Sequence, residues 1–373
     1  MVSRSLWLAP LLLLACGGSS GTTDAETGTT TTGGMMEATT SGTTSGPTTE
    51  VPEPTSGPEV TSTTSTTSGA TEGDTSGTVD PTSGSDSSTG AAAPMSLDDV
   101  VDGDLELISD GHMFTEGPLW SPDGYLLFSD IPADTIFRWT EANGSEAFIT
   151  PSGNSNGLAF DGMGRLLAAE HGGRRISRRV IGEDAALVVG EYMGLPLNSP
   201  NDVVWRSDGT LYFTDPPYGI NPNDQEQPFQ GVFRVDPNGD IFLIADDFDR
   251  PNGLVLSPDE SLLYVDDTAL EHVRVFDVMA DGSTSGGAVF VALPSDLPGD
   301  PDGMAIDEFG DIYVTGGGGV RVVTPDAEVL GTIAVPESAT NCKFGGDDGR
   351  WLFITAPPRV YRVHLKVAGV DMP

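Results

Sequence analysis

The chain has 373 residues, with 56 acidic and 17 basic side chains and a formal net charge of −39. After residue 95 there are 46 acidic and 16 basic residues, so that part alone carries 16 − 46 = −30. Nucleic acids and anionic lipid surfaces are bound through clusters of Lys and Arg, so this charge excludes them as partners. The chain has only two cysteines, which excludes a disulfide framework.

The N-terminus has the proportions of an export signal. Arg4 is followed by an apolar run from Leu6 to Ala15 that is too short to span a bilayer. The sequence Leu-Leu-Ala-Cys at positions 13–16 resembles a bacterial lipobox, whose cysteine is acylated. We therefore predict a lipoprotein signal peptide over residues 1–16, lipidated at Cys16 and anchored to a bacterial membrane in the cell envelope. An ordinary secretory signal with an incidental cysteine is the alternative.

The segment from residue 17 to residue 95 consists mainly of Thr, Ser, Gly, Pro and Glu. It contains no Leu, Ile, Phe, Tyr, Trp, Lys or Arg. A segment of this composition cannot bury a hydrophobic core. We predict a disordered linker over residues 17–95, followed by one folded domain over residues 96–373.

The folded part contains one motif of fifteen residues in six copies that align without a gap. Each copy begins with Glu, Asn or Asp, and five copies carry Gly at the ninth position, the exception being Glu260. Short runs of Val, Leu, Ile, Phe and Tyr flank this position, a pattern typical of a β-hairpin with a tight turn. The copies start at Glu116, Asn156, Asn201, Asn252, Asp302 and Asn341.

The starts of the copies are 39 to 51 residues apart. This period matches the blades of a β-propeller, each of which is a four-stranded sheet. Long helical patterns are absent from the sequence. We therefore predict an all-β fold, a six-bladed β-propeller.

The first residues of the six copies should form a polar ring. The innermost strands of a propeller line its central channel, so equivalent positions lie around one mouth. The fifteenth residues should return beside them, and four are acidic: Asp130, Glu170, Asp215 and Asp266. Crowded carboxylates repel one another, and oxygen ligands suit a hard cation. The ring thus predicts one divalent metal, Ca²⁺ before Zn²⁺, Mn²⁺ or Mg²⁺.

Several motifs resemble those of the gluconolactonase, senescence-marker-protein-30 and luciferin-regenerating-enzyme family of six-bladed propellers. They include TEGPLWSPDGYLLFSD, LNSPNDVVWRSDGTLYFTDPPYG and PDGMAIDEFGDIYV, within residues 114–355. The resemblance implies that Glu116, Asn252 and Asp302 hold the metal. It also implies that Asn201 is a metal or substrate ligand and that Asp302 is the catalytic proton donor and acceptor.

The resemblance implies an enzyme, a metal-dependent lactonase that opens a sugar lactone. A cation would polarise the carbonyl and Asp302 would assist the attack of water. The sequence offers no plausible Ser/His/Asp set, which argues against covalent serine catalysis. Two alternatives stay open: a phosphotriesterase-type hydrolase of organophosphates, and a binding propeller without turnover. We expect a monomer whose partners are the small lactone and, through the lipid anchor, a membrane.

Three further residues have a functional and a structural interpretation. His171 follows the second hairpin and could bind substrate hydroxyls, or be a structural histidine. Asn156 could bind substrate, or only cap the start of its blade. Asp215 could support the metal site from behind, or belong to a rigid turn with the two prolines that follow it.

Overall fold

The computed structural model of the protein describes residues 93–370. The predicted signal peptide, Cys16 and the linker up to residue 92 lie outside the described residues, as do residues 371–373. No helix within residues 93–370 is long and apolar enough to cross a membrane. The described chain begins with the one-turn helix α1 (Leu97–Val100) and strand β1 (Glu106–Ser109).

Twenty-four strands of the described chain form six four-stranded antiparallel sheets, which confirms the predicted six-bladed propeller. The first blade contains β2 (Thr115–Ser121), β3 (Tyr125–Asp130), β4 (Thr135–Thr140) and β5 (Gly144–Ile149). The second contains β6 (Ser155–Phe160), β7 (Leu166–Glu170), β8 (Arg175–Arg179) and β9 (Ala186–Val189). A small ribbon of β10 (Glu191–Tyr192) and β11 (Leu195–Pro196) follows.

The other four blades continue in the same way. The third contains β12 (Val203–Trp205), β13 (Leu211–Asp215), β14 (Gly231–Val235) and β15 (Ile241–Ala245), with a 3-10 turn at Pro222–Asp224. The fourth contains β16 (Pro251–Leu256), β17 (Leu262–Asp267), β18 (His272–Val278) and β19 (Thr284–Ala292). The fifth contains β20 (Met304–Ile306), β21 (Ile312–Gly316), β22 (Gly319–Val323) and β23 (Val329–Ala334). The sixth contains β24 (Asn341–Gly345), β25 (Trp351–Ala356) and β26 (Arg359–His364), and β1 is its outermost strand.

The blades are held together by apolar packing and by repeated hydrogen bonds near the channel. Buried aromatic side chains such as Phe213 and Phe233 fill the space between neighbouring sheets, and burial of each contributes about 1.5–3 kcal/mol. Near the channel, Ser129 Oγ donates to the Asn156 carbonyl at 2.8 Å and Thr214 Oγ1 to that of Asn252 at 2.6 Å. These bonds fix the height at which each inner strand begins.

The start of the sixth blade differs from the gapless alignment. Gly157 N donates to Asn201 O at 2.8 Å, and Gly303 N makes the same bond, at 2.7 Å, to Thr340 O. Thr340 therefore takes the first position of the ring in blade six. Asn341 takes the second position, which is glycine in four other blades, for example Gly303.

The fourth blade differs as well, because its inner hairpin contains one extra residue. In blade one the fourth residue of the motif, Leu119, pairs with the twelfth, Leu127. In blade four the fourth residue, Val255, pairs with the thirteenth, Tyr264. The extra residue lies in the turn that includes Glu260, whose φ is +56°. Asp267 therefore occupies the place of the other fifteenth residues.

Candidate functional site

Four carboxylates gather at the channel mouth where the inner strands begin. Glu116 and Asp302 come from the first positions of blades one and five, Asp202 from the second position of blade three, and Asp266 from the end of β17. Burial is the main cause that raises the pKa of all four. The pKa of Glu116 rises to about 8 and that of Asp202 to about 6.

The four carboxylates also act on one another. Glu116, Asp266 and Asp202 each raise the pKa of Asp302 further, and Asp202 raises those of Glu116 and Asp266. Such a group of like charges is unfavourable unless protons or a cation compensate it. The acids of this cluster are therefore suited to share a positive ion.

Oxygen atoms without a protein partner complete the ring. The Oδ1 atoms of Asn156 and Asn252 and both carboxylate oxygens of Asp266 are buried and accept no hydrogen bond within the described part of the chain. Buried polar atoms nearly always have a partner, so each of these atoms indicates a ligand position. The backbone of Asn201 is held next to them, with its N–H donating to Thr214 O at 2.9 Å. The residues present therefore fit a hard divalent cation with oxygen ligands.

No group of three or more His, Cys, Asp or Glu side chains within residues 93–370 converges as a metal-ligand set by itself. This is consistent with a set in which two of the four expected ligands are amides. In that expected set Glu116 and Asp302 would provide carboxylates, and Asn201 and Asn252 would provide amide oxygens.

Asn341 has the opposite orientation from Asn156 and Asn252. Its Oδ1 accepts the N–H of Cys342 at 2.8 Å, so its amide nitrogen is the free end. This amide lowers the pKa of Glu116 and Asp202, partly offsetting the effect of burial. The Asn341 amide thus favours the ionised form of these two acids and offers no oxygen to the ring.

Asn156 and His171 lie together at the edge of the ring. Asn156 Nδ2 is 3.3 Å from His171 Nε2. Burial lowers the pKa of His171 to about 4, so the imidazole is neutral at pH 7. Its Nε2 then accepts the amide N–H, and its Nδ1 carries the proton. The pair presents Asn156 Oδ1 to the mouth and does not leave Nε2 free to act as a base.

Asp215 binds the loop that leads into Asn201, and its support of the metal site stays a prediction. Its two carboxylate oxygens accept the N–H groups of Asn198 and Ser199, both at 2.7 Å. Asp130 binds the N–H groups of residues 113 and 114 in the same way, and Glu170 pairs with Arg175. These fifteenth residues hold the loops that enter the blades. Of the four acids expected behind the ring, only the displaced Asp266 reaches the cluster.

Sequence reasoning missed Asp202 and Lys343. Asp202 replaces the glycine found at the second position of four other blades. Lys343 stands at a channel-facing position in β24, lines a small cavity with Asp202, and lowers the pKa of that acid. It also borders a cavity of about 980 Å³ at the opposite mouth. Both residues depart from the repeat, and this departure could have marked them from the sequence alone.

Thr268 was also not identified from the sequence as part of the site, and it lies there together with Tyr218. Thr268 Oγ1 accepts the Asn252 Nδ2 proton at 2.9 Å. The Tyr218 hydroxyl lies beside Thr268, and burial together with Asp302 raises its pKa to about 12. The Arg250 guanidinium is 5.6 Å from the centre of the Tyr218 ring. These residues form the wall of the mouth next to Asn252 and Asp302.

The sequence and the fold match known proteins over most of the propeller. Residues 114–357 match the family described as SMP-30/Gluconolactonase/LRE-like region. A gluconolactonase of Zymomonas mobilis is 36% identical in an alignment of 293 residues that covers 71% of this chain and 82% of that protein. A pentonolactonase of Haloferax volcanii is 28% identical over 64% of this chain and 80% of its own length. A solved structure of a gluconolactonase from Xanthomonas campestris is 36% identical and superimposes with a TM-score of 0.65, covering 70% of this chain and 89% of that chain.

Proposed function

Because the chain belongs to the SMP-30/Gluconolactonase/LRE-like family, we propose that it is a lactonase that opens a sugar lactone at the ring of the propeller. The observation that carries this proposal is the cluster of Glu116, Asn252 and Asp302 at the channel mouth. It lies within the part of the chain that is similar to two named sugar lactonases. The reaction adds water to the lactone carbonyl carbon, breaks the ring C–O bond and releases a hydroxy acid.

Four residues would hold one divalent cation, for which Ca²⁺ is the best match to oxygen-only ligands. Glu116 and Asp302 would contribute carboxylates, and Asn201 and Asn252 amide oxygens. The unpartnered Oδ1 of Asn252 supports this assignment. When bound, the cation would polarise the lactone carbonyl and compensate the charge of the acids.

Asp302 would move the proton. Its carboxylate lies among the acids of the ring and beside Asn252, where it can take a proton from the attacking water and return it to the leaving oxygen. His171 is the weaker candidate for this role, since its Nε2 accepts the amide of Asn156. Asn156 Oδ1 and the His171 ring edge would instead contact substrate hydroxyls.

One screen tests the proposal. The purified chain is assayed with several aldonolactones, an acyl-homoserine lactone and paraoxon, each with Ca²⁺ and with a chelator. We expect hydrolysis of aldonolactones that needs the cation. Turnover of paraoxon without any lactone hydrolysis would overturn the proposal in favour of an organophosphate hydrolase. If the chain binds Ca²⁺ but hydrolyses none of these substrates, the result would favour a binding propeller without turnover.

The cellular setting is also part of the proposal. The apolar run before Cys16 supports a lipid anchor, with residues 17–95 as the tether that carries the domain away from a bacterial membrane. The propeller would then act as a monomer in the cell envelope.

A further inference from the structure

Thr268 occupies a fixed place next to the ring. It follows β17 directly, and its backbone N–H donates to Arg250 O at 3.0 Å. This bond connects the loop after β17 with the segment that leads into Asn252. The side-chain hydroxyl of Thr268 is thereby held where the amide nitrogen of Asn252 reaches it, at 2.9 Å.

The amide of Asn252 has a competing acceptor. The Asn252 amide also acts on Asp302, where it partly offsets the rise in the pKa of that acid. An amide nitrogen that turned fully to Asp302 would occupy the carboxylate expected to move the proton. A flipped amide would point its NH₂ group at the cation, which is electrostatically unfavourable. Thr268 opposes both rearrangements because it binds Nδ2 from the other side.

We infer that Thr268 is a positioning residue, which holds Asn252 Nδ2 so that Asn252 Oδ1 faces the ring as a ligand for a divalent cation. The inference rests on the proposed metal-dependent function. The contrast with Asn341 supports it, because the amide oxygen of Asn341 is held by Cys342 N and that residue offers nitrogen to the acids. Ring asparagines thus differ according to which amide atom a neighbour binds.

Tyr218 lies next to this contact at the mouth. Its hydroxyl is beside Thr268 and its ring faces Arg250.

The test is a calorimetric titration of the full chain with Ca²⁺ alone, which measures Ca²⁺ affinity. Thr268→Val keeps the shape of the side chain and removes the acceptor. We expect Ca²⁺ affinity to fall roughly 2- to 12-fold, the range of a single neutral hydrogen bond. Thr268→Ser should restore it. Thr284→Val, in the outermost strand of the same blade, is the matched control and should bind as the parent chain does.

The same comparison in the Asn252→Asp variant separates the orientation of the amide from other effects of Thr268→Val. In Asn252→Asp both ends of the side chain are oxygen, so orientation no longer matters, and adding Thr268→Val should change affinity by less than about 2-fold. Equal Ca²⁺ affinity of the parent chain and Thr268→Val would overturn the inference, as would an equal loss in both backgrounds. If Thr268→Val does not fold, Thr268→Ala gives the same comparison. A parent chain that binds no divalent cation would refute the proposed metal dependence itself.

Discussion

Removing divalent cations should make the stability of the propeller depend steeply on pH. Asp202 has a pKa of about 6 in the folded chain and an ordinary value of 3.8, and Glu116 has about 8 against 4.5. Each folded-state pKa is raised, so the folded state keeps protons that the unfolded state has lost. Stability is therefore highest below the ordinary pKa and falls as pH rises through the raised one.

The size of the effect follows from the shifts. Between pH 5 and pH 6 Asp202 loses about one pKa unit of stabilisation, or about 1.4 kcal/mol, and between pH 5 and pH 8 Glu116 loses about three units, or about 4 kcal/mol. In a domain of this size 1 kcal/mol moves the Tm by roughly 2–4 °C. We expect the metal-free Tm to fall by roughly 10–20 °C between pH 5 and pH 8, and added Ca²⁺ to remove most of this slope, since a bound cation replaces the protons.

Differential scanning calorimetry in chelator, with and without excess Ca²⁺, measures the slope. Starting at pH 5 keeps the chain above its sequence pI of about 4.1. Asp202→Asn should reduce the slope, whereas Asp240→Asn, at an exposed turn, should not. A metal-free Tm that stays level or rises between pH 5 and pH 8 would refute the argument that these buried acids lack compensating charge.

Three further sets of substitutions test separate parts of the site and the anchor. Asp302→Asn should lower lactone turnover by about 10²–10⁴-fold, and excess Ca²⁺ should not restore it. Glu116→Gln should be partly restored by excess Ca²⁺, because this change weakens binding of the cation. Equal rescue of both variants in activity assays would make Asp302 only a ligand. Lys343→Met removes the positive charge that lowers the pKa of Asp202 and should lower the metal-free Tm by roughly 2–4 °C, the equivalent of about 1 kcal/mol. Adding Asp202→Asn should recover most of this, and an unchanged Tm in Lys343→Met would contradict the interaction. Cys16→Ser should move the protein from the membrane fraction to the soluble fraction, and retention in the membrane would argue against the lipid anchor.

The fold could be read from the sequence because its signals are local and repeated. Each inner hairpin is encoded by a turn between two short apolar runs, and the copies recur at the period of a blade. Glu116, Asn252 and Asp302 open their hairpins in both the alignment and the structure, since nothing before the turn changes their register. The same repeat, with the family resemblance, was enough to locate the mouth of the channel.

Only the tertiary structure decided which side chains face the ring. One extra residue in the turn at Glu260 shifts the following strand, and a shift of one residue in a strand reverses the direction of every side chain. Asp266 therefore faces the ring while Asp267 binds backbone N–H groups of the loop before β16. The orientation of each amide depends on partners distant in sequence, such as Thr268 for Asn252. Sequence periodicity determines where a strand begins, but register and hydrogen-bond partners form only when the blades close into a ring.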